Sequence, residues 1–301
     1  MIIMSDPGPF AWPVYLDKHK IPDKVFAQAY AALSEIERSW IKKNIAQLYA
    51  LAPANTKEQT STDTQWTCGL HSTTRTRPRD WGILLLDASC SGPAWTVAAI
   101  LPALTSGVRH ILAVFLNQIV PSSHLLAAVE LCGVDTVCCL RRKKIITLLE
   151  DLTGFSTQGV VLNPDNSFPG PLLPNSWQET MVVWQPAPPR RMGIWSEATH
   201  QWDWPTLVWN HPNLNLEIWG TGPKKLPPGC TRMSGNWSVF CSQSYRVLGV
   251  PDLRLPEIRE QRCELILTPG QEGCWYWPDL TPQWFQTRQS TLETNHTLTA
   301  Q

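Results

Sequence analysis

Two loops of this chain hold residues whose type and placement suit ligand chemistry. The first is Asp87-Ala-Ser-Cys-Ser-Gly-Pro93, set between two apolar runs. Small residues at Ser89, Ser91 and Gly92 would let backbone N–H groups approach a phosphate, and a helix starting at this turn would favour its charge. The second is Asn163-Pro-Asp-Asn-Ser-Phe168. Its Asn163, Asp165 and Asn166 could contact a ligand held by the first loop. Each loop also has an ordinary reading, as a tight strand-to-helix turn with one glycine and as a plain turn sequence. The seven histidines are scattered, with no His-x-x-x-His and no His-Glu-x-x-His, so no metal centre is expected.

Such loops work only if the elements around them bring them to one rim. Gly82–Asp87 is a continuous apolar run bounded by small residues, the pattern of a strand buried on both faces. An apolar helix follows over Ala94–Thr105, with Gly107 as its cap. A strand over His110–Leu116, a helix after Ser122, a strand over Asp135–Leu140, a helix over Lys143–Leu152 and a strand over Gly159–Leu162 continue the alternation. That order predicts an α/β fold with a Rossmann-like parallel sheet, helices outside and ligands beyond the carboxyl ends of the strands. Domains are expected at 1–79 (a helical segment and linker), 80–168 (the Rossmann-like domain) and 169–301 (a Trp/Pro-rich α/β region). Apolar residues at three-to-four spacing from Phe26 to Leu48 predict one long helix over Val25–Leu51. The polar stretch 53–79 reads as a connector. The last region holds 11 of the 16 tryptophans, which fits a small loop-rich core better than a base-stacking surface, because few Lys or Arg accompany them.

The stretch Pro93-Ala-Trp-Thr-Val-Ala-Ala-Ile-Leu-Pro-Ala-Leu-Thr-Ser-Gly-Val108, with Leu125-Leu-Ala-Ala-Val-Glu-Leu-Cys-Gly-Val-Asp-Thr-Val137, resembles the nucleotide-binding half of histidinol dehydrogenases and, more broadly, the aldehyde dehydrogenase-like superfamily. The resemblance spans roughly residues 80–168 and implies a pyridine-nucleotide site, for NAD or NADP, at the two loops. It also implies a nucleophilic thiol at Cys274 in Gly270-Gln-Glu-Gly-Cys274, near a "GQ.C" pattern but with one residue more between Gln271 and the cysteine. Other departures are the loss of the family's glycines in both loops and of a Gln/His pair for zinc. Zinc-dependent alcohol oxidation is therefore not expected. Two functions remain, a divergent NAD(P)-dependent oxidoreductase and a catalytically inactive relative serving as a binding or assembly subunit.

Charge and cysteine content bound the partners. The 25 basic and 25 acidic residues cancel, which argues against nucleic acid or an anionic membrane as partner. No run reaches the ~18–20 apolar residues of a membrane span, and Met1–Trp12 lacks the basic start of a signal peptide. The nine cysteines show no paired metal spacing and read mostly as small buried hydrophobes in a reducing cytoplasm. A small molecule or dinucleotide, a second copy, or a partner subunit are the expected partners.

Overall fold

The computed structural model describes residues 10–52, 59–87, 92–116, 121–168, 174–197 and 202–294. The N-terminal helical segment is two helices, α1 (Asp23–Ala32) and α2 (Glu35–Leu51), and not the single expected one. Ser34 interrupts it. Its hydroxyl accepts the Glu37 N–H while the Glu37 carboxylate takes the Ser34 N–H at 2.7 Å, a reciprocal cap that starts a new helix. The restart shifts the apolar phase, so Ala29, Leu33, Ile41 and Leu48 are buried while Ile36 is 64% exposed. Glu37 also meets His124 Nε2 at 2.8 Å, tying the cap to the rest of the protein. Ser34→Ala should cost about 1 kcal/mol, read as a melting temperature lowered by roughly 2–4 °C.

The expected connector is a hairpin in its described part, β1 (Thr60–Gln65) and β2 (Leu70–Pro78), paired antiparallel from Thr60↔Thr76 to Gln65↔His71. Thr-rich strands satisfy β-propensity. Water on both faces leaves no apolar alternation to read. The alternating strands and helices follow: β3 (Trp81–Leu86), α3 (Pro93–Thr105), β4 (His110–Leu116), α4 (Ser123–Leu131), β5 (Thr136–Leu140), α5 (Arg142–Thr153), β6 (Gly159–Leu162) and β7 (Met181–Trp184). They form one parallel sheet in the order β5-β4-β3-β6-β7. Its fifth strand lies past residue 168. All six residues of β3 are buried, as are 11 of the 13 in α3. Gly159 sits where Trp81 crosses β6, and a Cβ there would lie 2.2 Å from the indole.

The Trp/Pro-rich region builds a second parallel sheet from β8 (Arg191–Ser196), α6 (Trp204–Asn210), β9 (Asn215–Gly220), β10 (Cys230–Arg232), α7 (Trp237–Cys241), β11 (Val247–Gly249), α8 (Leu255–Ile258) and β12 (Leu265–Leu267). The order β10-β9-β8-β11-β12 repeats the winding of the first sheet. The last strand, β13 (Gln286–Thr294), returns to the hairpin and pairs with β2 along nine residues. The tryptophans mostly pack inside, among them Trp184, Trp195, Trp219, Trp275 and Trp277. The cysteines differ from expectation. Of the eight described, all free, only Cys132, Cys138 and Cys274 are buried, four are half-buried and Cys68 is exposed.

Candidate functional site

In the first sheet the winding reverses between β3 and β6, which are neighbours, so the loops after them share the rim where open α/β sheets take ligands. The two candidate loops do meet. The Asp87 N–H donates to Asp165 Oδ2 at 3.0 Å, and Asp165 Oδ1 accepts the Ser167 N–H at 3.0 Å. Asn163 is fully buried, donating through Nδ2 to the Phe168 carbonyl at 3.1 Å and accepting the Phe168 N–H. Asn166 has φ 54°, a left-handed conformation that Asn tolerates better than most residues. Its Nδ2 donates to the Pro186 carbonyl at 2.9 Å, while its Oδ1 is buried without a hydrogen-bond partner. Asn163 and Asp165 thus shape the loop, and Asn166 alone keeps an unused acceptor. Ser89 and Ser91 lie outside the described residues.

Gly92 caps the start of α3, and the reason for a glycine there is long-range. A Cβ on it would fall 2.3 Å from the Asn210 carbonyl and 2.9 Å from Pro212 Cδ. The turn that ends α6 therefore lies directly on the N-terminus of α3. Pro93, Ala94 and Trp95, the first turn of the helix, are buried. Trp95 packs against Trp275 and Trp277 at centroid distances of 4.9 and 5.1 Å. A pyrophosphate needs open N–H groups at a helix start, and the described residues of this turn, Gly92 to Trp95, are covered by protein.

The Gly270–Cys274 segment reaches the same place. Asn44 of α2, buried, donates to the Ala94 carbonyl at 3.2 Å and accepts the Trp275 N–H at 3.2 Å, joining the first turn of α3 to the residue after Cys274. Most hydrogen bonds of the segment are internal or structural. Glu272, buried, accepts the Asp203 N–H at 3.2 Å and the Gly270 N–H at 2.8 Å. Its carbonyl meets His211 Nε2 at 2.9 Å, and burial pulls the His211 imidazole down to about 4, so it is neutral at pH 7. Gly273 lies against Trp40, and Gln271 Oε1 accepts from Gln47 at 2.8 Å. Cys274 itself is buried. Desolvation pushes its thiol up to about 11 despite the opposing ammonium of Lys43. Beside it runs a mostly apolar groove of about 410 Å³ lined by residues such as Asn44, Leu51, Ile266 and Tyr276.

Sequence reasoning thus found the rim loops and missed what covers them. Nothing in the local sequence Asn210-His211-Pro212 marks it as a cover for Gly92. The second sheet has its own switch point between β8 and β11, also unforeseen. There Arg254 Nε bonds Glu197 Oε1 at 2.8 Å. Among the described residues no three His, Cys, Asp or Glu side chains are grouped to hold a metal ion, and no helix is long and apolar enough to cross a membrane.

No family model matches the chain, and no curated protein matches it in sequence. Solved structures do match in shape. A histidinol dehydrogenase from Elizabethkingia anophelis superposes with a TM-score of 0.60 at 11% identity, covering 93% of this chain and 78% of that one. An NAD-dependent benzaldehyde dehydrogenase from Corynebacterium glutamicum gives 0.46 at 8% identity, covering 88% and 77%. An aldehyde dehydrogenase from Physcomitrella patens gives 0.45 at 8%, covering 92% and 85%. The likeness to histidinol dehydrogenase establishes the fold. It runs through nearly the whole chain, well beyond the 80–168 stretch that resembles the family in sequence.

Proposed function

We propose that the chain uses a dehydrogenase scaffold as an assembly subunit, without the chemistry. The observation that carries this reading is the three-stranded sheet β1-β2-β13. It is an arm about 30 Å long, at ~3.4 Å per residue over the nine residues of β2 and β13. Every residue of β13 from Arg288 onward is exposed, as are all of β1 except Thr64. Three strands with no buried face have little stability of their own. Neither β1 nor β13 has a second strand neighbour among the described residues. The far end carries an apolar pair, Trp66 at 52% and Leu292 at 70% exposure, flanking Ser72. Identical antiparallel edges complement each other about a two-fold axis, so a second copy is the partner such an arm fits.

The covered α3 terminus and the protonated, buried Cys274 support the same reading. The rival, an NAD(P)-dependent oxidoreductase, rests on the unused Asn166 acceptor at the rim. One experiment separates them. Sedimentation of the full chain at micromolar concentration should give a dimer, and Ser290→Lys with Leu292→Lys should yield folded monomers. In the same preparation, millimolar NAD, NADH, NADP and NADPH should leave the melting curve flat, since a ligand at 100 times its Kd would add about 2.7 kcal/mol. A monomeric wild type overturns the assembly reading, and a nucleotide-dependent rise in melting temperature revives the oxidoreductase.

A further inference from the structure

Where the arm leaves the body, a cleft of about 340 Å³ opens among Arg75, Arg77, Arg288, Gln59, Gln158 and Gln289. That volume lies at the lower end of small-molecule sites, ~300–1,000 Å³. The β pairing explains how two of the arginines meet. Arg75 and Arg77 are two residues apart on β2 and share a face with their partners Gln289 and Thr287 of β13, while Arg288, paired with Thr76, starts from the other face and lines the cleft at its rim. Arg77 Nε donates to Thr287 Oγ1 at 3.2 Å, which orients that guanidinium and leaves its Nη groups without a protein partner among the described residues. No carboxylate lines the cleft, and none of the three arginines forms an ion pair among the described residues. The Asp80 carboxylate stands behind the cleft wall, where it takes the N–H of the lining residue Gln158 at 2.8 Å.

Arg75 and Arg77, exposed neighbouring cations with no ion-pair partner among the described residues, repel one another weakly through water, and a bound anion removes that cost. Guanidinium forks match phosphate oxygens in a bidentate way, and the side-chain amides add neutral donors. We propose that this cleft binds a ligand with adjacent phosphate groups, a di- or triphosphate. A bound ligand would bridge the arm to the first sheet through Gln158, which precedes β6. The site is built within one chain and does not depend on the assembly reading.

Tripolyphosphate titrated into the full chain at constant ionic strength should raise the melting temperature and give a saturable calorimetric isotherm. Arg75→Gln with Arg77→Gln should weaken binding by about tenfold or more, since hydrogen bonds to charged groups carry ~1.5–3 kcal/mol. Arg259→Gln, an exposed arginine on the second sheet's side, should leave binding unchanged. Should the double variant fold poorly, ligand-dependent hydrogen-exchange protection at residues 75–77 and 287–289 of the wild type reads the same site. Adenosine triphosphate binding more tightly than tripolyphosphate would identify a nucleotide tail as the source, and equal affinity a free polyphosphate. No saturable binding, binding that the double variant retains, or protection elsewhere than the arm root would overturn the proposal.

Discussion

A chain lacking residues 1–52 should be insoluble or molten, with near-ultraviolet dichroism lost and dye-binding apolar surface gained. The apolar stripe of α1 and α2 is spent on the chain's own body. Leu33, Ile41 and Leu48 join the core that contains α3 and α4, and Leu16, just upstream, is fully buried in the core around Trp81 and Cys138. At ~1.5–3 kcal/mol per fully buried side chain, those four alone represent about 6–12 kcal/mol. That is comparable to the whole stability of a typical domain, roughly 5–15 kcal/mol. The deletion also strips Asn44 from the Ala94 carbonyl and from the Trp275 N–H, and the buried N–H loses its partner. The main-chain bond from Ile21 to the Val137 carbonyl at the first sheet's edge goes as well. A soluble, folded core with intact near-ultraviolet dichroism would mean that these helices serve a partner surface instead.

What could be read from the residues follows from how local the cause is. Runs such as Gly82–Leu86 and Gly159–Leu162 announce buried parallel strands because both faces must be apolar, and the structure buries all of them. The rim position of the two loops followed from that alternation, and the Asp87–Asp165 bond realises it. The arm was illegible for the opposite reason. Thr60–Gln65 has water on both sides, so no periodicity distinguishes it from a connector, and the other neighbour of its partner β2 is β13, over 200 residues further along the chain. The Ser34 break is a local signal, a serine three residues before a glutamate, hidden because hydrophobic spacing continues across it. Gly92 is the instructive case. A glycine in a strand-to-helix turn suggests phosphate access, yet its cause is the Asn210 carbonyl, 118 residues on and visible only once the two sheets are placed together.

Cys274 should resist alkylation in the native protein and react only on unfolding, because chemistry at this position requires a thiolate the surroundings do not allow. With the thiol pushed up to about 11, only ~0.01% is ionised at pH 7, against ~3% for a free thiol of pKa ~8.5. Thiolate content alone therefore predicts iodoacetamide labelling ~300-fold slower than for an unperturbed cysteine, and burial of the residue slows access further. Cys68, exposed in the hairpin turn, is the internal reference. The sign of the pH effect is fixed by the direction of the shift. The folded state holds the neutral thiol more strongly than the unfolded chain does, so the stabilisation is complete below about pH 9 and is lost as pH rises through about 11. Labelling at Cys274 should accordingly climb about tenfold per pH unit over that range. Lys43→Met, which removes the one cation opposing the shift, should suppress it further. Peptide mapping after a short pulse at pH 7.5 reads the outcome directly. If Cys274 is modified as fast as Cys68, the thiol is an accessible nucleophile after all, and the oxidoreductase reading regains the residue it most needs.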